Sequence, residues 1–256
     1  MTANLSVYKS EFMAVKSADR TLDIFELFAR ERQPLLLTDI ARGLDAPLSS
    51  CFNLVAALKA RGYIYDIGQG RQFYPTRKMF ELVGMVAANE PWAKLLEVRL
   101  ARLRDETGET TILGRLQGNE IVYLAVLEGQ QNIRYTAYAG DRKPLHASAV
   151  GKALLSALDP AQREAILKKV ALNKRTPTTI TSRKALATEL NEAAERGYAI
   201  TRGENVADVM AVAMPLKLGS ETYAIAIAGP LSRMEAAVGQ RIAQLLAFGG
   251  DLSNGT

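Results

Sequence analysis

From Thr38 to Tyr74 the chain switches from helical to strand spacing within one short stretch, and few folds satisfy that order of elements. Thr38 stands where it can cap a short helix from Asp39 to Gly43. A tight turn follows through Leu44, Asp45, Ala46 and Pro47. A second helix begins near Leu48 and stops at Gly62, with Cys51, Leu54, Val55 and Leu58 spaced as one buried stripe. Ser49, Ser50, Phe52, Asn53 and Ala56 fall outside that stripe, so the outer face is small and polar with one aromatic. Tyr63, Ile64 and Tyr65, then Arg71, Gln72, Phe73 and Tyr74, flank a turn at Gly68, Gln69 and Gly70, which is a hairpin signal. Helix, turn, helix and hairpin in this order predict a winged helix-turn-helix, a shape that sets its second helix in the DNA major groove.

The outer face of that second helix then becomes a set of DNA-facing candidates. Ser49 and Asn53 are expected to reach base edges, with Thr38 and Ser50 beside them. Phe52 either contacts a thymine methyl or leans on a neighbour. Lys59, Arg61, Arg71, Arg77 and Lys78 are expected to meet phosphates in part, the remainder being solvated charge. The net charge of +5 suits a polyanionic partner, although many plain enzymes are as basic. A single cysteine excludes an internal disulfide and suits a reducing cytoplasm. Lys9, Glu11 and Lys16 interrupt any secretory apolar region near the start. No apolar run reaches the roughly 18 residues of a membrane span, so no membrane partner is expected.

The 256 residues are enough for one small and one medium domain. We divide them as a flexible arm over 1–16, the winged helix-turn-helix domain over 17–76, a linker helix over 77–90 and a second domain over 91–256. Ser17 is expected to cap a helix from Ala18 to Glu31, with Leu22, Phe25 and Ala29 inward and Ile24, Leu27 and Phe28 widening the stripe. Met79, Leu82, Val83 and Val86 recur at helical spacing after Pro75, and a helix this apolar implies a dimer contact. Asn89, Glu90 and Pro91 mark a boundary, and Trp92 to Thr107 reads as a helix with Leu95, Leu96, Leu100 and Leu103 inward.

Beyond Gly108 strands and helices follow in blocks. Thr110 to Leu116 and Ile121 to Val126 flank a Gly118-Asn119 turn, and Ile133 to Tyr138 reads as a third strand. Helices follow from Ala149 to Leu158, from Pro160 to Val170 under an Asp159 cap, and from Arg183 to Arg196 before Gly197. Tyr198 to Arg202, Val209 to Leu216 and Thr222 to Ala228 read as strands, and Ser232 is expected to cap a last helix reaching Phe248. Strands, a block of helices and strands again predict an α+β domain, an antiparallel sheet with flanking helices.

Other chemistry finds little support. His146, the only histidine, lies near Ser148, but no Asp or Glu stands at motif spacing to complete a catalytic set. We read it as a structural, hydrogen-bonded histidine. One histidine and one cysteine do not make a zinc site. Gly68-Gln69-Gly70 lacks the lysine and Ser/Thr of a phosphate loop. Cys51 belongs to the buried stripe. No cofactor is expected. The alternative to a regulator is a metabolite-binding protein or an enzyme with an accessory basic domain.

Several blocks together resemble the IclR-type transcriptional regulators, from Ser17 to Leu246. They are Ser17, Arg20 and Leu22; Pro47, Ser49, Ser50, Leu58, Arg61 and Gly62; and Thr107-Gly108-Glu109-Thr110. The most distinctive runs through Pro144, Leu145, His146, Ala147, Ser148, Gly151, Lys152 and Ala153, followed by Arg196-Gly197-Tyr198, Glu204-Asn205 and Gly229-Pro230. The resemblance implies a double-stranded DNA operator, a GAF-like C-terminal effector domain and a homodimer or tetramer. It also implies an effector carboxylate held by backbone amides at Ala149 and Val150, with further contacts at Thr201, Ala211, Ala226 and Ala228. Relatives that take small, very polar acids often carry Asp, Cys or Ser at those four positions, and Gly-Val-Arg-Cys where this chain has Asp208, Val209, Met210 and Ala211. Three alanines and a threonine suit a small organic acid with an apolar body, an aromatic carboxylate first. Arg134, read as lying on a strand, is a candidate second anchor. The competing reading is that the alanines are ordinary sheet packing and that the pocket is small or closed.

Overall fold

The computed structural model describes residues 15–69, 71–87 and 93–253. The arm up to residue 14, Gly70, the boundary at Asn89, Glu90 and Pro91, and Trp92 lie outside the described residues, as does the side chain of Leu95. The chain divides into two compact units, residues 1–93 and 94–256.

In the first unit α1 (Lys16–Glu31) buries Ile24, Leu27 and Phe28, while Leu22 is 63% exposed. The expected inner stripe is therefore rotated: the residues taken as its flank are its centre, and Ala29 is exposed. Ser17 does not cap the helix. Val15 holds that place without a side-chain bond, and the Ser17 carbonyl accepts from the Thr21 hydroxyl. A two-residue strand β1 (Leu35–Leu36) leads into α2 (Leu37–Gly43), so Thr38 is inside the helix and not its cap. Asp39 instead folds back to accept the Leu36 N–H. The turn to α3 (Leu48–Ala60) contains Asp45 at φ 46°. Cys51, Val55 and Leu58 of α3 join Ile24, Leu27, Phe28, Leu35, Ile40 and Ile64 in one core. Strands β2 (Ile64–Ile67) and β3 (Gln72–Pro75) pair antiparallel, and β1 adds to the outer edge of β3. Helix α4 (Lys78–Ala87) follows with no buried residue.

The second unit opens with α5 (Ala93–Thr107), whose Leu96, Leu100 and Leu103 are buried. Its sheet is antiparallel, built from β4 (Thr110–Gln117), β5 (Glu120–Leu127), β6 (Arg142–Pro144), β7 (Ala199–Arg202), β8 (Val209–Leu218) and β9 (Glu221–Pro230) in the order β6-β5-β4-β9-β8-β7. Ile133 to Tyr138 is not a strand. That stretch is an irregular loop held by its backbone, with the Tyr135 carbonyl accepting from the Thr110 hydroxyl, and the short β6 takes the edge position instead.

Helices α6 (Ala149–Ser156), α7 (Pro160–Lys169, capped by Asp159) and α8 (Arg183–Arg196, ended by Gly197 at φ 80°) come between β6 and β7. The expected last helix is two helices, α9 (Leu231–Ala236) and α10 (Val238–Ser253), broken at Ala237. Pro230, not Ser232, precedes the first of them, because β9 runs on to that residue.

Helix α6 packs on β7, β8 and β9. Ala211, Ala213, Ala226 and Ala228 face that helix within one core, while the residues of opposite parity, Val212, Ile225 and Ile227, are buried as well. Alternation along a strand sends neighbours to opposite faces, so both faces of the sheet are covered. Two glycines let α6 come close. A Cβ on Gly151 would meet the Leu145 backbone, and one on Gly114 of β4 would meet Val150 Cγ1 at 2.7 Å.

Candidate functional site

Two sets of residues stand out, one in each unit. In the first, α3 presents Ser49, Phe52, Asn53 and Ala56 to solvent, with Phe52 60% exposed. Helical spacing puts Ser49 and Asn53 on one face, one turn apart. Ser50 is already engaged: Arg20 of α1 donates to its hydroxyl at 3.0 Å, a tie the sequence did not announce. Lys59 is paired with Asp66 of β2. Arg61 lies over the Tyr63 ring, and its carbonyl accepts from Lys78 Nζ at 2.6 Å. Arg71 is exposed on the hairpin and Arg77 lies over Phe80. Cys51 is fully buried, and burial pushes its thiol pKa up despite the nearby Arg20. It is a core residue.

In the second unit strand register gathers residues that are far apart in the chain. Thr201 pairs with Ala211, Ala211 with Ala228, and Ala228 with Thr110, a row across β7, β8, β9 and β4. Two residues along, Ala213, Ala226 and Ile112 form the next row. Small side chains in adjacent rows leave space beneath α6. That space is a small cavity of about 30 Å³, room for a water-sized group, so a larger ligand has to push its walls apart. Ala211, Ala226, Ala228 and Ile112 floor it, Thr201 stands at one side, and the first turn of α6 closes the top. Tyr123 and Tyr135 supply aromatic wall, and Asn205, Val206 and Val209 come from the segment between β7 and β8. Residue patterns did not single out these tyrosines, and they marked Asn205 only as part of the Glu204-Asn205 block, with no site role; each is placed at the cavity by the sheet order and a loop.

At the top of the cavity Ser148 caps α6. Its hydroxyl accepts from the Gly151 N–H at 3.1 Å and donates to the Pro144 carbonyl at 2.7 Å. The Ala149 and Val150 amides come before the first N–H that can bond within the helix, so they point outward from its positive end. Both residues line the cavity. Arg134 is not on a strand and not among the lining residues. Its guanidinium pairs with Glu128 at 2.9 Å and donates to the Gln131 carbonyl.

The catalytic arrangement considered for His146 and Ser148 does not form. Ser148 is occupied as a cap, and His146 is buried with Nε2 3.0 Å from the Asn173 carbonyl, which can only accept. Its Nδ1 has no partner. Burial lowers the His146 pKa, opposed by the Asn173 bond and aided by the charges of Lys152 and Arg175. Close by, Lys152 Nζ and Glu204 form a buried ion pair of 2.6 Å. Burial raises the Glu204 carboxyl in spite of that lysine.

Comparison with known proteins shows the family. Residues 17–66 match the IclR helix-turn-helix domain, and residues 86–254 match the bacterial transcriptional regulator IclR C-terminal domain. The HTH-type transcriptional regulator XynR of Escherichia coli strain K12 is 32% identical over 202 residues, which is 79% of this chain and 80% of XynR. The crystal structure of Thermotoga maritima IclR shares the fold at a TM-score of 0.79 and 23% identity, covering 94% of this chain and 98% of that one. An IclR homolog from Microbacterium hydrocarbonoxydans, solved in complex with 4-hydroxybenzoate, matches with a TM-score of 0.71 and 25% identity over 93% of this chain and 99% of that one. A helix-turn-helix unit joined to a matching C-terminal domain over almost all of its described length makes this chain a member of the IclR family of bacterial transcriptional regulators.

Proposed function

We propose that the cavity under α6 is the effector site, and that its ligand is a small organic acid with an apolar body, an aromatic carboxylate of the kind produced in catabolism. The protein is a DNA-binding regulator with a ligand-binding C-terminal domain, not an enzyme. One observation carries the finer reading. Ala149 and Val150, whose amides lead α6, line a cavity together with Ile112, three alanines and two tyrosines. Helix N-terminal amides favour an anion, and a wall of this composition offers a polar acid such as glyoxylate little to bond beyond its carboxylate. The Microbacterium relative in complex with 4-hydroxybenzoate is consistent with an aromatic ligand in this fold. In this reading Ala149 and Val150 hold the acid, while Thr201, Ala211, Ala226 and Ala228 surround its body. Arg134 would have to leave Glu128 to take part.

The DNA-facing set is Ser49 and Asn53 for base edges, with Arg71 and the partly engaged Lys59 and Arg61 toward phosphates. Homodimerisation runs through α4, and a tetramer is the next assembly up. A thermal-shift screen of benzoate-type acids against glyoxylate and pyruvate tests the effector reading, since a ligand bound to the native state raises its melting temperature. Greater stabilisation by glyoxylate or pyruvate at equal concentration would overturn it. A gel shift repeated at rising salt tests the phosphate contacts, whose loss makes affinity fall steeply.

A further inference from the structure

The cavity wall is not uniformly apolar, and its least explained polar group is Asn205. This residue lines the cavity, and its Oδ1 is buried without a hydrogen-bond partner. The backbone around it is tied down, although the second carboxylate oxygen of Glu204, Oε2, is also buried without a partner. The Glu204 carbonyl accepts from the Thr179 hydroxyl at 2.6 Å, and the Glu204 carboxylate takes Lys152 Nζ. The Gly203 carbonyl accepts from the hydroxyls of Thr176 at 2.6 Å and Thr178 at 2.9 Å. The loop also closes on itself, with the Gly203 N–H donating to Val209 and the Val209 N–H to Val206. These bonds hold the backbone on either side of Asn205, and none of them takes its carboxamide, which can turn about its own side-chain torsions toward the cavity.

Buried oxygens without partners are rare in native proteins, and each calls for a reason. Its oxygen touches no solvent as the side chain stands. A ligand group in the cavity that meets the carboxamide satisfies it, and one that cannot leaves the oxygen unpaired. Which atom of the carboxamide faces the cavity does not change the argument. A hydroxyl donates to Oδ1 or accepts from Nδ2, so it satisfies either orientation.

We propose that Asn205 is a specificity-determining residue of the cavity and selects acids whose body carries a hydroxyl group. The proposal rests on the reading of the cavity as an acid site. The hydroxyl lies away from the carboxylate, on the side of the ligand that faces β7 and the loop after it. Thr201, also in the wall, is a secondary contact.

Calorimetry on the full chain tests this with benzoate, the three monohydroxybenzoates and uncharged phenol. One hydroxybenzoate isomer is expected to bind about tenfold or more tighter than benzoate, the usual penalty of an unpaired buried group. In Asn205→Ala the ratio of those two affinities falls to about one, while in Thr201→Val most of it remains. The melting temperature of each unliganded variant serves as the folding control. If benzoate matches every isomer in the wild type, or if Asn205→Ala keeps the preference, the role of Asn205 is overturned while the acid reading stands. If phenol binds, the acids do not, and Asn205→Ala abolishes phenol binding, Asn205 stands and the acid reading falls. If none of the set binds, both are overturned.

Discussion

In the first unit the groups suited to a ligand stand in solvent on a helix face; in the second they line a space inside the fold. The α3 surface carries Ser49, Phe52 and Asn53 on a helix whose opposite side is core. Such a surface reads a partner with side chains, and its chemistry is visible in residue types. The cavity under α6, in the proposed reading, would work largely with what is missing, namely the side-chain atoms that Ala211, Ala226 and Ala228 lack and the intrahelical acceptors that the first amides of a helix lack. The comparison teaches that the unit meeting DNA is specified by residues present, and the unit meeting a small molecule by room left open.

The largest effect is expected where the first unit leaves apolar surface uncovered. Helix α4 exposes Phe80, Leu82, Val83, Met85 and Val86, more than a lone chain leaves in water without reason. Val83→Asp should convert a dimer to a monomer in sedimentation, because a charge would be buried unpaired at the contact. A wild type that stays monomeric at micromolar concentration would break this half of the comparison.

Next comes the cavity. Ala226 is fully buried and forms part of the floor, so Ala226→Leu should fill the space and weaken acid binding by about tenfold or more, the penalty of a few kcal/mol for overpacking. DNA affinity without effector should be spared. Ala228→Ser should be milder and shift preference toward smaller, more polar acids. Calorimetry and gel shift on the same preparations read both. Unchanged acid affinity in Ala226→Leu would mean the alanines are ordinary packing.

These two cases also mark how far residue patterns reach. The α3 stripe is largely legible because a helix of that length shows its period: Cys51, Val55 and Leu58 are buried, while Leu54, expected with them, is half-buried at the edge of the core. The α1 stripe was misplaced because Leu22, Phe25 and Ala29 share a helical spacing with Ile24 and Phe28 close beside it, and only packing against α2 and β3 decides between the faces. Ile133 to Tyr138 has strand composition, yet it forms no ladder, and its Tyr135 carbonyl accepts from the Thr110 side-chain hydroxyl instead. Ser17, Thr38 and Ser232 are good capping types, but each helix begins earlier than its candidate cap. In the second unit Thr201, Ala211, Ala226 and Ala228 were reachable only through the family resemblance; that they form neighbouring rows follows from strand register, and the unpaired oxygen of Asn205 follows from packing. Neither is a property of local sequence.

A smaller effect sharpens the first half. Asn53→Ala should weaken operator binding by about 1–3 kcal/mol and relax one base position. A base-substitution scan with an unchanged preference in the mutant would remove Asn53 from the base-reading set.

The smallest effect concerns pH. Burial lowers the His146 pKa, and a proton added at Nδ1 would find no acceptor. The folded protein therefore binds that proton less readily than the unfolded chain. Its contribution to stability is present above the ordinary imidazole range and is lost as pH falls through it. Glu204, raised by burial, acts in the opposite sense, so the comparison must be made between variants. The fall in melting temperature between about pH 7.5 and about pH 5 should be smaller in His146→Gln than in the wild type. An equal fall would assign the acid sensitivity elsewhere.

The central claim is that room and two free amides, more than side-chain donors, define what the second unit senses. The most direct test is a calorimetric comparison of benzoate, benzamide and glyoxylate on the full chain. Benzoate should bind more tightly than both, since benzamide lacks the charge that the Ala149 and Val150 amides favour and glyoxylate lacks the apolar body that the alanine floor accommodates. Tighter binding of glyoxylate would contradict the apolar cavity, and equal or tighter binding of benzamide would contradict the carboxylate anchor at the start of α6.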